Sequence, residues 1–277
     1  MAAGLFVALA PMPVRADSAE TAALQAQVTS LQATVSALQG QVNTQQGQIN
    51  TLQKQLTMAK SVLALAPYVA VTLDSINAVI GPNIIFTGAN IHIRSGSGLT
   101  NDGGGTLTWL GNLIIGYNEV PDGLSLGDRG GAHNLVIGSF NKFTQFAFGG
   151  LVAGEINTIS AESASVLGGL NNTASGPNAS VSGGLNNTAF GPNASVLGGS
   201  ANSAGGNNDS VLGGLNNAAF GDNASVTGGS ANTAGGANAS VTGGFGNVAG
   251  GFQTVVIGGQ NVTDNKDNSI APHPPFP

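Results

Sequence analysis

From Leu24 onward, apolar side chains fall at Leu24, Val28, Leu31, Val35, Leu38, Val42, Ile49, Leu52 and Leu56, in steps of four and three broken only at Gln45. This is a heptad stripe: Val28, Val35, Val42 and Ile49 take position a, and Leu24, Leu31, Leu38 and Leu52 take position d. The pattern predicts a coiled-coil stalk over residues 17–66, which Pro67 ends. The flanking e and g positions are mostly glutamine, as at Gln25, Gln32, Gln39, Gln27 and Gln41. Charge therefore cannot choose a foreign partner, and self-association is the simple outcome. β-branched residues at a with leucine at d lean towards two strands, whereas polar Gln45 pulls the choice away, so the seam leaves the number of chains open.

After Pro67 the pattern shortens to the β-rich runs "YVAVTL", "NIIF", "NIHI" and "GNLIIGYN", separated by glycine-rich turns. Residues 67–110 read as a β-rich connecting region. A valine or isoleucine followed two residues later by glycine then recurs at Ile114, Val136, Val152 and Val166, and from Val166 at every fifteenth position to Val256. So short a period is one turn of a parallel β-solenoid. The fold expected is mainly β: a solenoid head over 111–262 with turns of 14–16 residues, a loop insertion at 117–133, and a polar, proline-rich tail at 263–277.

Turns stacked about 4.8 Å apart place each repeat position in a column. Asn172, Asn187, Asn202, Asn217, Asn232 and Asn247 make one column, read as a structural ladder of amides bonded to one another. Asn178, Asn193, Asn208, Asn223 and Asn238 make a second. Ala174, Ala189 and their equivalents to Ala249 suit a tight interior, and Gly176, Gly191 and their equivalents to Gly251 suggest a corner at positive φ. Each turn's interior is expected to hold one valine, one alanine and at times a leucine such as Leu170 or Leu185. Burying a valine yields about 1.5–3 kcal/mol, while ordering each residue costs about 1–2 kcal/mol of backbone entropy. One chain alone therefore looks too thin to shelter its interior, and lateral packing against identical chains is expected.

Composition sharpens this picture. The 277 residues include 44 glycines and only 7% charged residues, with net charge −6, so neither a bulky core nor simple disorder fits. Lysine and arginine are scattered, which leaves no nucleic-acid footprint. Cysteine is absent, which excludes disulfides and thiolate metal sites. The opening run Ala2–Ala10 and the exit Val14-Arg15-Ala16 read as a signal peptide over 1–16, hence a secreted or cell-surface protein. No later run is long enough for a transmembrane helix.

Candidate chemistry is sparse. His92, His133 and His273 are too separated for a metal set, and calcium-binding solenoids need an aspartate in nearly every repeat. The densest charge lies in "YNEVPDGLSLGDRGGAHN", where Glu119, Asp122, Asp128, Arg129 and His133 form a candidate recognition loop. Sequons such as "NAS" at Asn178 follow from the repeat itself. No cofactor, metal or catalytic residue is expected.

The phrases "NASVSGG" (178–184) and "TVVIGGQN" (254–261) resemble the head repeats of trimeric autotransporter adhesins, the YadA-like family. "GAHNLVIGSFN" and "GGLVAGEINTIS" also resemble uncharacterised secreted bacterial repeat proteins. The adhesin resemblance implies a left-handed β-roll, a homotrimer and an adhesive or structural filament role, with a ligand on a cell surface or in the extracellular matrix. Two other readings remain. One is an ice-binding β-solenoid, suggested by Ser225-Val-Thr227 and Ser240-Val-Thr242, and the other is a polysaccharide-acting β-helix enzyme.

Overall fold

A computed structural model describes residues 18–103, 107–120 and 126–271 of the chain. The expected signal peptide, Asp122 and His273 lie outside the described residues, as does the last part of the expected tail. Contacts divide the chain into two units, residues 1–90 and 91–277.

The first unit contains helix α1, Ser18–Leu63, 46 residues long. Alanine, leucine and glutamine favour it, with Glu20 in its first turn and Lys60 in its last, each complementing the helix dipole. Gly40 and Gly47 meet nothing that would exclude a side chain, so each weakens the isolated helix by roughly 1 kcal/mol. The heptad stripe is bare: its a and d side chains are 46% to 64% exposed. Strands β1 (Val69–Thr72) and β2 (Asn83–Phe86) follow as an antiparallel pair, with Val69 opposite Phe86 and Thr72 opposite Asn83. The run "NIHI" at 90–93 forms no strand, contrary to the sequence pattern. Its alternation has no neighbouring ladder to join, and Ile91 and Ile93 stay exposed.

The second unit is a parallel β-solenoid of about nine turns. Each fifteen-residue turn supplies one two-residue strand to an eleven-stranded sheet and one to a nine-stranded sheet. The first sheet begins at β3 (Leu113–Ile115), which pairs in parallel with Leu135–Ser139. Register is strict: Val181 faces Val196 in one sheet, and Ala189 faces Ala204 in the other. A one-residue slip would expose every interior side chain, so the alternation of half-buried serine or threonine with buried valine or alanine fixes the pairing.

Two sequence expectations are corrected here. Leu170 and Leu185 are 39% and 40% exposed and face outward. The glycine before each has positive φ (83° at Gly169, 91° at Gly184) and turns the chain, so that the next residue points away from the interior. The third apolar column inside is alanine instead, at Ala179, Ala194, Ala224 and Ala239. The single chain also closes its own interior, since Val181, Val196, Ala189 and Ala204 have no exposed surface. Side chains this small let the two sheets approach closely enough to exclude water without help from another copy.

Candidate functional surface

The asparagine column at Asn172 is buried throughout and works differently from a stack of amides. Asn172 Oδ1 accepts from the backbone N–H of Asn187 at 2.9 Å. Its Nδ2 donates to the carbonyls of Gly168 at 3.1 Å and Gly184 at 3.0 Å. Each side chain therefore bridges the backbones of successive turns, satisfying groups that no ladder reaches. The column also starts earlier than the repeat suggests. Asn118 accepts from Asn141, Asn141 from Asn157, and Asn157 from Asn172, all through backbone N–H groups. It ends where Val262 N–H donates to Asn247 at 2.9 Å. Beyond it the interior turns polar: Ser269 Oγ bonds to buried Asp264 at 2.6 Å, and Thr254 Oγ1 to the Lys266 carbonyl at 2.6 Å.

The second asparagine column is the amide stack. Asn193 Nδ2 donates to Asn208 Oδ1 at 3.1 Å, and Asn208 to Asn223 at 3.0 Å, on the exposed surface. These residues hold positive φ, 56° at Asn193 and 58° at Asn208, which asparagine tolerates well. The expected positive-φ corner at Gly176 is thus two residues out of place. Gly176, Gly191 and their equivalents are needed for another reason: a Cβ on Gly191 would lie 2.1 Å from the Gly206 carbonyl oxygen of the next turn.

A third glycine column has no such constraint. At Gly168, Gly183, Gly198, Gly213, Gly228, Gly243 and Gly258 a Cβ would meet nothing within 4 Å, and none has positive φ. Exposed Leu167, Leu197, Leu212 and Ile257 precede this strip, and exposed Leu170, Leu185, Leu215 and Phe245 follow it past the turn. Elsewhere Phe190 leans over Gly205, where a Cβ would meet its Cζ at 2.2 Å, and its ring centroid comes within 6.2 Å of Phe220.

The expected recognition loop is only partly assembled. The Arg129 guanidinium donates to the Glu119 carbonyl at 2.5 Å, and Asp128 pairs with Lys142 at 3.6 Å. Burial lowers the pKa of Arg129, while the charges of Asp128 and Glu119 act to raise it. His133 turns elsewhere, to Ser95 and Thr100, so it does not join the carboxylates. Near it, buried Asp102 accepts from Thr108 Oγ1 at 2.8 Å and from Trp109 N–H at 3.0 Å. Burial pushes its carboxyl up, but hydrogen bonds from Trp109, Thr108 and Ser97 outweigh this and hold it well below the usual range. Lys142, Ser95 and Thr100 carry no motif in the sequence, and only the folded path brings them to the loop.

Asp209 stands in the interior alanine column. It accepts from Ala224 N–H at 2.8 Å and Gly206 N–H at 2.5 Å, yet burial raises its pKa. Among the described residues no group of three or more histidine or acidic side chains could hold a metal, and no helix is long and apolar enough to cross a membrane. No protein-family model matches the chain, and no curated protein matches it either.

Proposed function

We propose that the chain is a non-enzymatic, secreted or cell-surface protein with a structural or adhesive role, acting as a homotrimer. The observation that carries this reading is the glycine strip from Gly168 to Gly258. Neither backbone conformation nor any neighbour among the described residues requires glycine there. A side chain would project into open space, which supports an approach by a second chain that leaves no room for one. The apolar residues bordering the strip would lose water contact in the same encounter, at about 25 cal/mol per Å². The bare heptad stripe of α1 supports a second copy of the chain as the partner, because glutamine at e and g offers no charge by which to choose a different one. The count of three and a left-handed coil come from the resemblance of "NASVSGG" and "TVVIGGQN" to the adhesin heads. In such an assembly the exposed asparagine stack remains outside as a repetitive surface for a cell-surface or matrix ligand.

The test removes residues 1–66, so that the helix cannot hold copies together, and measures molar mass by sedimentation. The solenoid part is expected to associate. Gly198→Leu with Gly213→Leu should make it monomeric while its circular dichroism stays unchanged. A solenoid part that is monomeric before substitution contradicts the reading.

The ice-binding alternative draws on serine hydroxyls paired at 3.4 Å (Ser180 to Ser195) and 3.1 Å (Ser225 to Ser240). Leu197 and Leu212 interrupt the exposed threonine column beside them, and thermal hysteresis decides the matter. An enzyme reading needs free acid–base groups, whereas Asp128 and His133 are both engaged. Turnover of a polysaccharide that disappears on replacing Asp128 would restore it.

A further inference from the structure

Both ring nitrogens of His133 are committed, and their partners leave one protonation state. The Thr100 carbonyl, 2.8 Å from Nδ1, can only accept, so Nδ1 carries the proton. The Ser95 backbone N–H, 3.1 Å from Nε2, can only donate, so Nε2 presents a lone pair. In this arrangement the ring donates from Nδ1 and accepts at Nε2. Its seat is tight: a Cβ on Gly111 would lie 2.6 Å from His133 Cδ2, and the His133 N–H bonds to the Leu110 carbonyl at 3.3 Å.

The ring is also what ties the 95–100 segment down. Among the described residues, the other hydrogen bonds of this segment are local. Ser95 Oγ meets Ser97 Oγ at 2.8 Å, Ser97 Oγ donates to the Leu99 carbonyl at 3.0 Å, and Ser97 also bonds to Asp102. Beside the ring lies an open cleft of about 420 Å³ lined by Ile93, Arg94, Ser95, Leu99, Thr100 and His133.

We propose that His133 is a proton-operated latch on the 95–100 segment. A proton taken from solvent forms a new Nε2–H bond. That N–H then points at the Ser95 N–H, turning an attraction into a donor–donor repulsion. Among the described residues, Arg94 shares the cleft with the ring, and Asp102 lies two positions beyond Thr100. Arg94 opposes a second positive charge there. The Asp102 carboxylate would favour an imidazolium, but it is already engaged by Thr108 and Trp109. Proton uptake thus releases Ser95, frees the segment and widens the cleft, while the described strands of the solenoid's two sheets contain no histidine.

The test is amide hydrogen exchange on the full chain between about pH 8 and about pH 5, the range in which histidines ordinarily titrate, with rates corrected for intrinsic exchange. Protection across 95–100 should fall roughly tenfold or more on acidification, in keeping with the loss of one hydrogen bond and the burial of an unpaired donor. Protection in the Ser165–Val166 and Ser180–Val181 strands, away from the titrating Asp209, should not move. In His133→Gln the side chain can bond to both partners without titrating, so the fall should vanish, whereas His92→Gln should retain it. Unchanged protection of 95–100 in the native chain overturns the proposal. So does a fall that persists in His133→Gln, or one that the strands share.

Discussion

Asn202 makes four hydrogen bonds, three of which tie its own turn to the turns on either side. Its N–H donates to Asn187, its Nδ2 donates to the Gly198 and Gly214 carbonyls, and its Oδ1 accepts from Asn217 N–H at 2.9 Å. Asn202→Ala leaves a buried Asn217 N–H and a Gly198 carbonyl without these partners, which should cost about 2–4 kcal/mol in urea unfolding. Asn208→Ala, in the exposed stack, should cost less than about 1 kcal/mol, because water replaces the lost amide. The two columns are equally regular in the sequence, and nothing in their spacing says which is buried. The left-handed backbone at Asn193 and Asn208 decides it, and that is a property of the folded turn. Asp209 gives a prediction of opposite sign. Burial holds its pKa above the ordinary value of 3.8, so the folded chain holds the proton more tightly and loses stability as pH rises above that value. Asp209→Ala, which restores the column's own residue, should raise the Tm at neutral pH by the equivalent of roughly 1 kcal/mol, and the gain should fade below pH 3.8.

At the scale of elements, α1 finds no cover for its seam among the described residues. Gly40 and Gly47 weaken it, and its apolar stripe is bare. Leu31→Asn with Leu38→Asn should therefore lower the helical signal at 222 nm as well as the molar mass. Because e and g carry glutamine, raising the salt from about 0.1 M to about 1 M should leave the association in place. The helix, the fifteen-residue period and the valine and alanine columns are legible in the sequence, since each follows from a repeated spacing. The strand at "NIHI" was misread, because alternation alone does not supply a ladder partner. The roles of the three glycine columns were not legible, since glycine looks the same whether it serves a positive φ at Gly169, a 2.1 Å backbone approach at Gly191, or an outer face at Gly198. Substitution separates them. Gly191→Ala should cost at least about 2–3 kcal/mol through collision with the next turn, whereas Gly198→Ala should leave the circular dichroism of the solenoid part unchanged and weaken only its association.

For the whole molecule, the closed valine and alanine interior means that association is not needed to keep the core dry. What remains open is the outside: a helix with an uncovered seam, and a solenoid face paved with glycines that no described residue explains. The proposed reading covers both with copies of the same chain. The most direct measurement is the molar mass of the full chain by sedimentation equilibrium over a wide concentration range. The account predicts three times the 27.2 kDa chain mass, persisting on dilution and in high salt. A mass of 27.2 kDa at every concentration would contradict it.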